Sequence, residues 1–252
     1  MRGYDRLGAV AVLGLAAVIL VAWSATPDIH AEYVKYASAG DSVRAYLAYP
    51  ERRDAAPGII VIHENTGLSE FARNTAEQLA KDGFVALAPD LLSRRGGTPE
   101  STDSGRALIR SLNPDTITLD LNGAQAFLKG LKAVKANRIG VIGFCWGGGQ
   151  SFRYATNNAT LGAFVVCYGP GPQAADLARI RAPGLGAYGE RDARINAGLA
   201  GLDSAVKAAG IRYEYAIYPR VGHGFFRSRD DAAVADSAWG VVVRFLRREL
   251  ER

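Results

Sequence analysis

Cysteine, histidine and methionine are scarce: the 252-residue chain holds 2, 3 and 1 of them. Two cysteines, Cys145 and Cys167, are too few for a disulfide framework, and no C-x-x-C redox pair occurs. Three scattered histidines and two separated cysteines have no metal-ligand spacing, so no metal site is expected. Neither a phosphate-binding loop nor a dinucleotide fingerprint stands at a strand-to-helix turn, and no cofactor is expected. There is no internal repeat and no linker. Net charge is +5, a mild excess with the basic residues dispersed. A local cluster at Arg244, Arg247, Arg248 and Arg252 is diluted by Glu249 and Glu251. It reads as the solvated face of a last helix and not as a nucleic-acid surface.

What is present suits one globular α/β domain: 48% hydrophobic and 22% charged residues, enough to bury a core. The 29 glycines fall at turns between apolar runs. The N-terminus is distinct. Residues 7–23 carry no charge and follow a short head with Arg2 and Arg6. Small residues at Ala22, Ser24 and Ala25 allow cleavage there. Residues 1–27 are therefore expected to be a signal peptide or membrane anchor. The protein would be exported, periplasmic or extracytoplasmic, with attachment to the membrane only through that segment. The folded domain is expected over residues 30–252.

The segments "EYVKYAS" and "SVRAYLAYP" alternate around Ala39-Gly40-Asp41 and predict a hairpin. The pattern then changes. "GIIVIHE", "FVALAPD", "RIGVIGFC", "AFVVCYG", "GLGAYGE" and "YEYAIYP" are short continuous apolar runs, as for strands buried on both faces. Helical periodicity falls at 70–81, 115–131, 150–155 and 197–209, and 237–250 closes the chain. Alternating strand and helix predicts a mostly parallel sheet covered on both faces, with the hairpin making one edge mixed. Ligands bind such sheets at the carboxyl ends of the strands.

Reactive residue types gather at those ends: His63 and Glu64, then Asp90 with Arg94 and Arg95, then Cys145, Asp192, and His223 with Arg227. The stretch "GFCWG" fits the G-x-S-x-G nucleophile elbow with cysteine in place of serine. Glycine is needed where a side chain would collide with the backbone of the sharp turn. A cysteine at that turn also sits at a helix N-terminus, where unpaired N–H groups favour a thiolate and an oxyanion. The acid and histidine should follow in chain order, and Asp192 and His223 do. Glu190 and Asp203 are rival acids, and Asp203 lies in a helical pattern. Cys167 reads as a core thiol and Asp90 as a turn acid. The alternative for Glu64 is a buried acid stapled to a neighbouring arginine.

Taken together, "GFCWGG", "HENTG", "GERDARI" and "GHGFFR" resemble the dienelactone hydrolase family of the α/β-hydrolase fold, from about Glu32 to the C-terminus. That fold implies a mostly parallel sheet of about eight strands with helices on both faces. The resemblance implies a Cys145–His223–Asp192 triad, with Glu64 contacting the thiol and sharing in its activation. It implies an oxyanion hole from the backbone N–H groups of Trp146 and Asn65. It also implies that Arg94 and Arg227 hold a substrate carboxylate. The expected activity is hydrolysis of anionic enol lactones or activated esters through an acyl-thioester, by a monomer acting on a small molecule. The polar loop "SRRGGTPESTDSG" departs from the more aromatic substrate loop of the family. A broader carboxylesterase or thioesterase is the nearest alternative. A non-catalytic, envelope-associated binding protein on the same fold is the alternative from another class.

Overall fold

The computed structural model describes residues 28–251, so the expected signal peptide or anchor at 1–27 lies outside the described residues. Among the described residues no helix is long and apolar enough to cross a membrane. The strands are β1 (Ile29–Ser38), β2 (Asp41–Pro50), β3 (Ala56–Ile62), β4 (Val85–Pro89), β5 (Val134–Phe144), β6 (Ala163–Cys167), β7 (Gly184–Gly189) and β8 (Tyr213–Tyr218). They form one eight-stranded sheet in the order β1-β2-β4-β3-β5-β6-β7-β8. The β1–β2 hairpin is antiparallel, β2 pairs antiparallel with β4, and every remaining pair is parallel.

The helices are α1 (Glu70–Lys81), α2 (Thr102–Arg110), α3 (Pro114–Gly130), α4 (Trp146–Asn157), α5 (Ala193–Asn196), α6 (Leu199–Ala208), α7 (Phe225–Ser228) and α8 (Ala232–Leu250). Because successive side chains of a strand point to opposite faces, a fully buried strand feeds two cores. In β3, Ile60 and Ile62 join the core under α3, α4 and α6. Ile59 and Val61 join the core under α1 and α8. Caps fix where several helices begin. Ser69 accepts the Ala72 N–H, Asn113 accepts from Asp115 and Thr116 ahead of α3, and Asp231 accepts the Val234 N–H.

Besides the short α5 and α7, which the periodicity does not announce, three helices differ from the expectation. α4 starts at Trp146, immediately after the elbow, because its glycines lie against backbone where any side chain would clash. α8 starts at Ala232, where Asp231 caps it. α2 forms inside the polar loop, nine residues long with only Gly105 and Ile109 buried, and its polar first turn and internal glycine read as loop.

After β3 the chain crosses to α1 on one face. After β5 it enters α4 on the other. The carboxyl ends of β3 and β5, neighbours in the sheet, thus flank a topological switch point, where open α/β sheets place their ligand crevice.

Candidate active site

Cys145 stands between β5 and α4 with φ 56° and ψ −116°, a backbone region that a residue with a side chain rarely occupies. The glycine frame makes this turn sterically possible. A Cβ on Gly143 would lie 1.9 Å from the Gly147 carbonyl oxygen, and one on Gly147 would lie 2.4 Å from that of His63. The Cys145 N–H donates to the Cys167 carbonyl at 3.0 Å, tying the elbow to β6. Both cysteines are free thiols. Cys167 is wholly buried, which pushes its thiol well up. It is the core cysteine expected.

His223 follows β8, and its Nδ1 lies 2.5 Å from Asp192 Oδ2. Asp192 follows β7, is buried, and uses its other oxygen to accept the Ile195 N–H at the start of α5. The rival acids are engaged elsewhere: Glu190 accepts the Arg220 N–H, and Asp203 pairs with Lys207 within α6. The Cys145 thiol raises the His223 pKa most; burial opposes it, and the Asp192 carboxylate adds to the rise. The Tyr168 ring, held at φ 41°, packs edge-on against the His223 ring with centroids 5.1 Å apart. Nothing in the strand pattern had singled Tyr168 out.

Glu64 is buried after β3, and its Oε2 lies 2.8 Å from Arg227 Nε. Burial raises the Glu64 pKa, against the lowering influence of Arg227 and His223. Among the described residues, the backbone N–H groups of Asn65 and Trp146 donate to no protein acceptor.

These side chains line one open cavity of about 1030 Å³. Glu64, Asn65, Cys145, His223 and Arg227 share it with an aromatic wall of Phe71, Phe144, Phe226 and Trp239. Arg106, Arg194 and Arg229 also border it. Arg106 comes from α2, so missing that helix meant missing this residue.

Arg94 does not reach the cavity, and its expected role in holding a substrate carboxylate is corrected. Its guanidinium is 2.8 Å from the buried Asp120 carboxylate, 3.1 Å from Asp41 and 2.7 Å from the Ser38 carbonyl. It fastens the β1–β2 hairpin to α3. Asp90 is the turn acid expected, accepting from the N–H groups of Leu92 and Thr98 and from the Thr98 hydroxyl.

A central mostly parallel sheet, with a cysteine elbow after β5 and an acid and histidine after β7 and β8, defines an α/β-hydrolase. The sequence profile of the Dienelactone hydrolase family matches residues 43–250, and the chain belongs to that family, whose members are hydrolases of ester and lactone bonds. A Methylorubrum extorquens relative named "Putative carboxymethylenebutenolidase" is 34% identical, covering 92% of this chain and 85% of its own. One of the same name from Escherichia coli is 31% identical, over 88% of this chain and 89% of its own. The crystal structure titled "Putative Dienelactone Hydrolase" from Klebsiella pneumoniae superposes with a TM-score of 0.80 at 27% identity, covering 87% of this chain and 98% of that one.

Proposed function

We propose that the protein is a cysteine-nucleophile hydrolase of anionic enol lactones or activated esters, working through an acyl-thioester. The observation that carries this reading is the Cys145 elbow beside the His223–Asp192 pair in a cavity whose one deeply buried carboxylate, Glu64, is ion-paired to Arg227. A substrate carboxylate would compete with Glu64 for the Arg227 guanidinium through charge-assisted hydrogen bonds. Released from that pair, the buried Glu64 carboxylate becomes a stronger base and takes the Cys145 proton. The second positive charge comes from Arg106, Arg194 or Arg229 on the cavity rim, in place of Arg94.

The thiolate then adds to the carbonyl carbon, and the oxyanion accepts hydrogen bonds from Asn65 and Trp146 N–H. Collapse breaks the ring C–O bond. The enolate leaves and takes up the proton that Glu64 removed from Cys145, and the acyl group stays on sulfur. His223, held by Asp192, removes a proton from water. The hydroxide adds to the thioester, the Cys145 thiolate is expelled, and the proton on His223 passes to that thiolate.

Cysteine suits this leaving group. A thiolate is itself easily expelled, so with an ordinary alkoxide ester the tetrahedral intermediate would often revert. A stabilised enolate leaves in preference. The aromatic wall favours a second reading, turnover of neutral esters without use of the arginines. The test is hydrolysis of cis- and trans-dienelactone beside a neutral p-nitrophenyl ester, by wild type, Cys145→Ala and Arg227→Ala. Lactone turnover lost in both variants supports the first reading. Cys145-dependent turnover of the neutral ester alone supports the second. Export remains our proposal for the cellular setting, checked by fractionating cells that express the full chain.

A further inference from the structure

His63 lies one residue beyond β3 and is fully buried. Two contacts fix where its proton sits. The Leu91 N–H, which can only donate, meets Nε2 at 3.3 Å. Nε2 is therefore the acceptor, and the neutral ring carries its proton on Nδ1. Nδ1 is 2.7 Å from the Glu64 carbonyl oxygen and so donates to it.

That carbonyl belongs to the same planar trans peptide as the Asn65 N–H, and the two point in opposite directions. A bond that pins the carbonyl pins the amide. It also polarises the peptide and makes its N–H a stronger donor. The His63 ring lies nearly parallel to the Trp146 indole, with centroids 5.6 Å apart and planes 18° apart. Trp146 supplies the other N–H of the oxyanion hole. The His63 carbonyl meanwhile meets the Cα of Gly147 so closely that a Cβ there would be 2.4 Å away.

We propose that His63 is a positioning residue for the oxyanion hole: its Nδ1–H aims the Asn65 amide into the cavity, and its ring seats the backbone that presents the Trp146 amide. The role rests on the oxyanion-hole reading above. Burial holds the imidazole below its ordinary pKa, against the raising influence of Glu64's carbonyl and Asp90, and so keeps the neutral form.

The test uses the full chain with cis-dienelactone, and measures Cys145 alkylation by iodoacetamide alongside turnover. His63→Phe keeps a ring for the stack but has no donor. It should lower kcat about 10- to 100-fold with KM within about twofold, since a lost or misaimed oxyanion donor acts on the transition state. Alkylation, which forms no oxyanion, should stay within about twofold of wild type. His63→Asn places an amide N–H where Nδ1 stood and should restore kcat to within about threefold of wild type. The ring nitrogens of wild type, read by nitrogen-15 NMR, should show the Nδ1–H tautomer, a measurement that needs no variant.

Equal losses in His63→Phe and His63→Asn, alkylation falling in step with kcat, or an Nε2–H tautomer would each overturn the proposal. If Cys145→Ala turns over the lactone as fast as wild type, the cysteine-nucleophile reading itself fails. If turnover needs Cys145 but His63→Phe leaves it undiminished, only the role of His63 fails.

Discussion

His223 Nδ1 and Asp192 Oδ2 lie 2.5 Å apart, the shortest link between the loops that leave β7 and β8 and border the Cys145 cavity. The contact commits the imidazole: Nδ1 holds the proton toward Asp192, and Nε2 is left to face the thiol. Asp192→Asn offers a similar shape but lets the amide donate to Nδ1 and reverse the tautomer. Ester turnover should fall by about 10³- to 10⁴-fold with little change in thermal stability. Steady-state kinetics on the variant check this, and a loss under tenfold would place the acid elsewhere.

Arg94 and Arg227 should separate cleanly. Arg94 is bound to Asp120, whose side chain is only 3% exposed. Arg94→Ala leaves that carboxylate buried and unpaired, at a cost of about 2–3 kcal/mol in denaturant unfolding, with KM for an anionic substrate unchanged. Arg227, in the cavity beside buried Glu64, should also lower stability when removed, but it should act on substrate binding as well. Arg227→Ala should raise KM for the anionic substrate by about tenfold or more and leave KM for a neutral ester near wild type.

The raised His223 pKa gives a pH dependence with a definite sign. Deacylation needs the neutral ring, so turnover should fall as pH drops through the His223 pKa of the acyl-enzyme, where Asp192 still raises it and the acylated sulfur no longer does. A raised folded-state pKa stabilises the fold below the unfolded pKa. That contribution is lost as pH rises through the folded value. The Cys145 thiol is the largest raising influence, so Cys145→Ala should shift the His223 titration downward. With only 3 histidines in the chain, NMR can follow each of them.

Gly147→Ala adds a Cβ 2.4 Å from the His63 carbonyl and 2.5 Å from that of Ile62. Both neighbours are backbone and cannot swing aside. The variant should lose about 1–3 kcal/mol of stability, measured by denaturant unfolding. It should lose most of its ester turnover too, because the shift falls between the two N–H groups assigned to the oxyanion.

Most of the sheet was legible because fully buried strands leave continuous apolar runs, as β3, β6 and residues 139–144 of β5 do, whereas β8, read as buried on both faces, has no buried residue because it is an edge strand. The elbow was legible because its glycines answer to backbone contacts that no other residue could meet. Arg94 misled for a physical reason. Its place after β4 matched a family position, but sequence separation hides Asp120 and Asp41, which capture it through tertiary contacts. α2 was hidden because it is short and polar at its start, with Gly105 inside it, so it reads as loop, and Arg106 was hidden with it. The hydrogen bonds of His63 join residues 1 and 28 positions away, so only the folded chain displays its place beside both proposed oxyanion donors.

Replacing Cys145 by serine tests the choice of nucleophile itself. A serine at this elbow keeps the backbone geometry, but its hydroxyl is far weaker as a nucleophile at neutral pH and depends wholly on a base. Glu64, paired to Arg227 until an anion arrives, is matched to a thiol and is too weak a base to ionise an alcohol. Cys145→Ser should therefore hydrolyse an enol lactone at least about 100-fold more slowly than wild type. Its residual acyl-enzyme, an oxygen ester and not a thioester, should also turn over more slowly and accumulate to detectable mass. Mass spectrometry after rapid quenching would reveal that adduct. A serine variant as fast as wild type would falsify the thioester route and leave the elbow as a general ester-hydrolysing turn.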